Sequence, residues 1–148
     1  HPLRPKVGLA LVREFVYEYA AVSPSDGQMT CMMSDKMNTE NMNEFLMRTS
    51  MRFPRDHILM VVDGASSHKS KTLELPDNLQ LHVLPPYSPE LNPTELLWGE
   101  LRKKWFANKV FDSLKAVSAR LEEGMRWYDQ NPKAIESLTG WNWILSSL

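Results

Sequence analysis

Two carboxylates in this chain stand where rigid elements can hold a ligand. Asp63 directly follows the apolar run 58–62, and Gly64 permits a tight exit from a strand and close approach by a ligand. Glu95 lies 32 positions further on, after a turn with three prolines in the five residues 85–89. Carboxylate oxygens are the ligands that Mg²⁺ and Mn²⁺ prefer in proteins. The pair therefore indicates a divalent metal site, although Asp63 taken alone is more simply explained as a capping or turn residue.

Glu95 falls in the first turn of a predicted helix that runs from Pro93 to about residue 107. Asn92 is a suitable N-cap, Pro93 fits the first helical position, and Glu95 has the spacing of a capping box. In that alternative the Glu95 carboxylate bonds back to the Asn92 backbone and needs no metal. The apolar face of the helix comprises Leu97, Leu101 and Trp105. Glu95 lies off this face on the side of Arg102, which suits either a metal and a phosphate or a solvated ion pair.

Basic side chains lie near both carboxylates in the sequence. His68 and Lys69 follow Asp63 and are candidates for phosphate contacts; the alternative is that His68 caps or packs a short helix. A second basic group, interleaved with Trp105 and Phe106, consists of Arg102, Lys103, Lys104 and Lys109. Such a group can follow a nucleic-acid backbone while the aromatic rings stack on bases. More often, such a pattern is a solvated face whose aromatic residues belong to the core.

The elements that must position these residues follow from hydrophobic periodicity and turn signals. Strands are predicted at 11–22, 28–33, 58–62 and 79–84, and helices from Asn38 to before Pro54, at 93–107 and at 113–128. This order predicts an α/β domain, a mixed sheet flanked by helices, over residues 1–148. The continuous apolar run 58–62 predicts a central strand covered on both faces. Trp141 and Trp143 are expected to pack the tail against the sheet.

Composition limits the classes of protein to which the chain can belong. With 148 residues, 43% hydrophobic and 24% charged, it is typical of one globular domain. The net charge of −1 means that any nucleic-acid binding depends on local patches. The single cysteine, Cys31, excludes an internal disulfide and favours a reducing compartment. No apolar run approaches the roughly 18 residues that a membrane span requires.

Two segments, VVDGASSHKS at 61–70 and LPPYSPELNPTELLW at 84–98, resemble the mariner-like DDE transposases of bacterial insertion sequences. The likeness continues through 101–102, 107–111 and 137–141, and upstream through 16–24 and 38–39. The resemblance implies an RNase H-like fold and a triad of two aspartates and a glutamate, with Asp63 as the second aspartate and Glu95 as the third acidic residue. It also implies two bound Mg²⁺ or Mn²⁺ ions, cleavage of transposon ends, strand transfer into target DNA, and a location at the nucleoid in the bacterial cytoplasm.

The chain departs from the family pattern at its beginning. The first aspartate of the family lies on a strand upstream of the segment that Arg4 and Pro5 begin to match, and Asp26 and Asp35 are poor substitutes. The helix-turn-helix DNA-binding part is also missing. We therefore expect an N-terminally truncated catalytic domain that lacks the first strand and is inactive as it stands. Unpaired strand edges would also permit a homodimer.

Two other functions use the same residues. The chain could be a non-catalytic remnant of a transposase that serves as a DNA-binding or interaction module. It could also be an RNase H-like nuclease that cuts DNA without strand transfer. Metal binding distinguishes the first alternative, and an assay with element ends distinguishes the second.

Overall fold

The computed structural model describes residues 16–64 and 71–146. Within these ranges there are four strands: β1 (Tyr17–Val22), β2 (Met29–Ser34), β3 (Ile58–Val62) and β4 (Leu79–Val83). The α-helices are α1 (Thr39–Arg52), α2 (Thr94–Leu101), α3 (Leu114–Gln130), α4 (Pro132–Thr139) and α5 (Asn142–Leu145). A 3₁₀ turn covers Pro89–Leu91, and a π-helical turn, Arg102–Phe106, extends α2. No helix of the described ranges is both long and apolar enough to cross a membrane.

The predicted hairpin is present. Strands β1 and β2 pair antiparallel, with a register that runs from Tyr17 opposite Ser34 to Val22 opposite Met29. The Ser23 amide donates to the Gln28 carbonyl at 2.8 Å, and the turn closes through Gly27 at a φ of 69°. Only glycine adopts this conformation without steric cost. The part of the predicted strand before residue 16 lies outside the described residues.

Helix α1 has the predicted N-cap and end. The Asn38 side-chain oxygen accepts from the Asn41 amide at 2.8 Å. The helix ends at Arg52, and its C-cap residue, Phe53, directly precedes Pro54. Its buried face, which includes Phe45 and Leu46, packs in one core with residues of both strand pairs. This helix therefore joins the two halves of the sheet structure.

The α/β class predicted from the sequence is confirmed, and the strand pairing adds detail. Among the described residues, β1 pairs with β2 and β3 pairs in parallel with β4, so the strands form two two-stranded sheets. The prediction that strand 58–62 is covered on both faces is wrong. Met60 and Val62 are buried, but Leu59 is 60% exposed because successive side chains point to opposite faces and α1 covers only one of them.

A second core fills the other face of the hairpin. It contains buried residues from β2, α2, α3 and α4, namely Met29, Leu97, Leu101, Met125, Tyr128 and Ile135. The hairpin is thus covered on both faces. The prediction that Trp141 and Trp143 pack against the sheet is wrong, since their residues are 50% and 43% exposed and Ile144 is the buried residue of α5.

Candidate active site

Asp63 lies at the carboxyl end of β3, at the edge where β4 also ends. The Leu84 amide donates to the Val62 carbonyl at 2.7 Å, so the parallel pairing holds until the last residue before Asp63. Asp63 itself is exposed. In open α/β sheets, ligands bind at the carboxyl ends of strands. The position of Asp63 is therefore suited to binding.

The proline-rich segment, residues 84–93, connects β4 to α2. It has no regular structure until the 3₁₀ turn at Pro89–Leu91. Pro85, Pro86 and Pro89 each restrict their own φ angle, which reduces the conformational entropy lost on ordering the connection. Tyr87 has a φ of 59°, in the left-handed region. The Leu91 amide then donates to the Ser88 carbonyl at 3.2 Å and closes the 3₁₀ turn. The result is a short, stiff segment that fixes where α2 begins.

Glu95 does not complete a capping box. The Asn92 side-chain oxygen accepts from the amide of Thr94, the first residue of α2, at 3.1 Å, although Pro93 and not Asn92 stands in the N-cap position. The Asn92 amide, which a capping-box glutamate would bind, instead donates to the Pro89 carbonyl at 3.0 Å. The Glu95 side chain is exposed, while Leu97 two residues later is fully buried. Helix capping therefore does not account for the Glu95 carboxylate.

Asp63 and Glu95 line the same cleft. This open cleft has a volume of about 360 Å³, within the range of ligand-binding sites. Its walls are formed by the end of β3, the proline-rich segment and the start of α2, and comprise Asp63, Gly64, Leu84, Pro85, Pro86, Tyr87, Ser88, Pro89, Asn92 and Glu95. The fold thus brings together the two carboxylates that the sequence singled out.

The donor set of the cleft suits a hard cation in part. Mg²⁺ is commonly held by one or two carboxylates, with waters and substrate phosphates as its other ligands. Within residues 16–64 and 71–146, no group of three or more His, Cys, Asp or Glu side chains is arranged to hold a metal. Asp26 instead accepts from the Gln28 amide in the hairpin turn at 3.1 Å. The cleft therefore offers two carboxylate ligands from the described part of the chain.

The predicted basic residues that the structure describes are on the surface but do not line the cleft. Arg102, Lys103, Lys104 and Lys109 are all exposed. Lys103 and Lys104 lie 3.4 and 3.3 Å from the Glu100 carboxylate, and hydrogen bonding to Lys104 is the main cause that lowers the pKa of Glu100. His68 and Lys69 lie outside the described residues.

The aromatic residues of this basic segment point into the protein. The Trp105 ring lies 5.5 Å from that of Tyr128, and the Phe106 ring lies 5.5 Å from that of Phe111. The Arg120 Nε donates to the Trp105 carbonyl at 2.8 Å, which supplies a partner for a carbonyl of the π-helical turn. Of the two interpretations, core packing therefore describes Trp105, while Phe106 packs against Phe111. The exposed aromatic residue beside the carboxylates is Tyr87, which the sequence pattern did not single out.

A further carboxylate is buried away from the cleft. Glu18 lies on the hairpin face that carries Cys31, and its Oε2 atom is buried without a hydrogen-bond partner in the described ranges. The pKa of Glu18 is raised to about 7, mainly by burial; the hydrogen bond with Cys31 opposes this rise and the charge of Glu122 adds to it. Burial also raises the pKa of the Cys31 thiol to about 11.

The Glu18 pKa predicts how the free energy of unfolding depends on pH. Because the folded-state pKa lies above the ordinary 4.5, the stabilising effect of the proton is present below pH 4.5 and is lost as pH rises through 7. Glu18→Gln should therefore be more stable than the wild type at pH 8, by roughly 1–2 kcal/mol after allowance for partial exposure, with no difference of this kind near pH 4.5. Urea unfolding at both pH values measures this. If the free energies of unfolding of Glu18→Gln and the wild type differed by the same amount at both pH values, the prediction would be contradicted.

The fold and the cleft define an α/β domain with an acidic, metal-compatible site at the carboxyl ends of two parallel strands. The sequence model of the family "DDE superfamily endonuclease" matches residues 13–118, a stretch that contains both carboxylates and the whole cleft. The chain therefore belongs to the DDE superfamily endonucleases. Its RNase H-like α/β fold is the fold of this family.

Comparison with individual proteins gives one curated relative. The chain is 35% identical over 98 residues to "Uncharacterized protein y4pE/y4sA" of Sinorhizobium fredii (strain NBRC 101917 / NGR234). The aligned residues cover 66% of this chain and 73% of that protein. No solved structure matches the chain.

Proposed function

We propose that the chain is part of a DDE transposase of the mariner-like insertion-sequence type, which cleaves DNA phosphodiester bonds and transfers strands with Mg²⁺ or Mn²⁺. The observation that carries the proposal is the shared cleft of Asp63 and Glu95, two carboxylates held by separate rigid elements. The sequence motifs around both residues support the mariner-like assignment. On this proposal, residues 1–148 are a single catalytic domain.

Each part of the cleft has a task in this reaction. Asp63 and Glu95 hold the metal, while the proline-rich segment fixes the distance between them. The two bound ions, once in place, would activate a water or a 3′-hydroxyl and stabilise the leaving oxygen of the phosphodiester. Basic side chains would attract the DNA backbone, namely His68, Lys69, Arg102, Lys103, Lys104 and Lys109.

The proposed reaction requires a third carboxylate beside Asp63 and Glu95. The family pattern places it on a further strand, and we accordingly propose that residues 1–148 do not cleave DNA alone. That strand would pair with an edge that is unpaired in the described residues, where β1 and β3 each have a single neighbour. Pairing of such edges between two copies would also produce a homodimer.

The second candidate is a non-catalytic DNA-binding or interaction module. It is favoured by one observation: within the described residues, no third metal-ligating side chain joins Asp63 and Glu95. Such a module would retain the fold without binding a metal. Mg²⁺ or Mn²⁺ would then leave its melting temperature and the fluorescence of the nearby Trp98 unchanged.

The proposed function is tested with a longer form of the protein to which a strand that carries the family's first aspartate has been added. This form is incubated with Mg²⁺ and labelled DNA that carries the ends of the element, with and without target DNA. We expect cuts at the ends and joined products with target DNA, and no cuts by residues 1–148. Cuts without joined products would indicate a nuclease, and absence of cuts by the longer form would favour the non-catalytic module. Nicking by residues 1–148 that Asp63→Asn abolishes would show that a third carboxylate is not needed.

A further inference from the structure

Tyr87 presents its ring to solvent at the wall of the cleft. The residue is 101% exposed, so it has no packing role, yet it lines the cleft with Asp63 and Glu95. It is flanked by Pro86 on one side and by Ser88 and Pro89 on the other. A large ring is therefore held by a stiff backbone in the position where a ligand of the cleft would lie.

The backbone at Tyr87 is in a conformation that aromatic residues rarely adopt. Its φ of 59° lies in the left-handed region, which costs a residue other than glycine roughly 1–3 kcal/mol. The other non-glycine residue with positive φ in the described ranges is Asn108, of a type that tolerates this region. A turn that only connects two elements is better served by glycine or asparagine. The presence of tyrosine therefore points to a use for the ring.

We propose that the Tyr87 ring is a stacking platform for an unpaired nucleobase next to the phosphate that a metal at Asp63 and Glu95 would hold. This inference depends on the proposed function, since it assumes a DNA substrate. Aromatic rings stack on any base, because every base has a π-face. The aromatic residues of the basic segment cannot serve in this way, as Trp105 and Phe106 pack against other rings. The ligand class is thus a single-stranded or frayed DNA end.

The test measures DNA binding by residues 1–148 with Ca²⁺ present, a hard cation that carboxylate oxygens bind and that can link the two carboxylates to a phosphate. The probes are a blunt duplex and the same duplex with a single-stranded tail that contains 2-aminopurine. The wild type should bind the tailed duplex more tightly and quench the probe. Tyr87→Phe should retain both properties, and Tyr87→Ala should lose about 5- to 100-fold in affinity for the tailed duplex alone.

Two further variants complete the design. Trp141→Ala removes an exposed aromatic side chain that does not line the cleft and should leave tailed-duplex binding unchanged. Tyr87→Gly relieves the left-handed backbone, so it should raise the melting temperature while binding falls as in Tyr87→Ala. Equal binding and quenching by wild type and Tyr87→Ala, or no preference for the tail, would overturn the stacking role. The proposed function is tested separately, by metal binding. If Asp63→Asn and Glu95→Gln bind the metal as tightly as the wild type, the proposed function fails, whatever the result for Tyr87.

Discussion

Replacing Asp63 by asparagine should lower DNA cleavage by the longer form of the protein on the order of a thousandfold. The asparagine keeps the size of the side chain and removes the charge that attracts a metal. Metal ions contribute several kcal/mol to stabilising the charge of a phosphodiester transition state, and each 1.36 kcal/mol is a tenfold change in rate. Glu95→Gln should lose a similar factor, because both carboxylates line one cleft. Rates measured with labelled DNA and saturating Mg²⁺ give the comparison.

Glu90→Gln is the matched control for these variants. Glu90 is an exposed carboxylate in the 3₁₀ turn between Asp63 and Glu95, but it does not line the cleft. Its removal should change the cleavage rate by less than about twofold, as expected for a surface charge. A loss in Glu90→Gln as large as that in Asp63→Asn would mean that overall charge, and not metal binding, governs the rate.

Gly27→Ala should destabilise the fold by about 2–4 kcal/mol, since two costs add. A Cβ atom at this position would lie 1.9 Å from the Pro132 carbonyl oxygen and 2.5 Å from its carbon. These are backbone atoms at the start of α4, so a side-chain rotation cannot relieve the clash, and overpacking typically costs 1–3 kcal/mol. The φ of 69° adds roughly 1 kcal/mol for a residue with a Cβ. Urea unfolding followed by circular dichroism measures the loss.

Gly99→Ala provides the opposite outcome with the same chemical change. Gly99 lies within α2, and a Cβ there would have no heavy atom within 4 Å. Alanine is favoured over glycine inside a helix by about 0.5–1 kcal/mol, so this variant should be slightly more stable than the wild type. Similar free energies of unfolding for Gly27→Ala and Gly99→Ala would show that the hairpin turn does not pack on α4 as described.

Local signals in the sequence account for the elements that carry the site. Asn38 caps α1 as predicted, the Asn92 side chain accepts from the first amide of α2, and the apolar run before Asp63 forms a strand. These features depend on residues close together in the chain, which is why they can be read without the fold. The start of α4 also has such a signal, since Pro132 occupies its first position, but the helices predicted from the sequence end at residue 128.

Other features depend on which elements meet. The run 58–62 is apolar at every position, so its pattern cannot show that Leu59 is exposed. Glu95 could complete a capping box only if the Asn92 amide had no other acceptor. In the fold this amide donates to the Pro89 carbonyl in the preceding 3₁₀ turn, which the sequence pattern does not show. The positive φ of Tyr87 has no sequence signal of its own, because tyrosine is not a residue that favours it.

Titration of the 148-residue chain with Mn²⁺, followed by electron paramagnetic resonance of the free ion, tests most directly whether Asp63 and Glu95 form one metal site. We expect the wild type to bind Mn²⁺ and Mg²⁺ to displace it. Asp63→Asn and Glu95→Gln should each weaken binding by at least about tenfold, and the double variant should bind no ion at this site. Glu90→Gln should bind as the wild type does. Unchanged Mn²⁺ affinity in both single variants would contradict a shared metal site in this cleft.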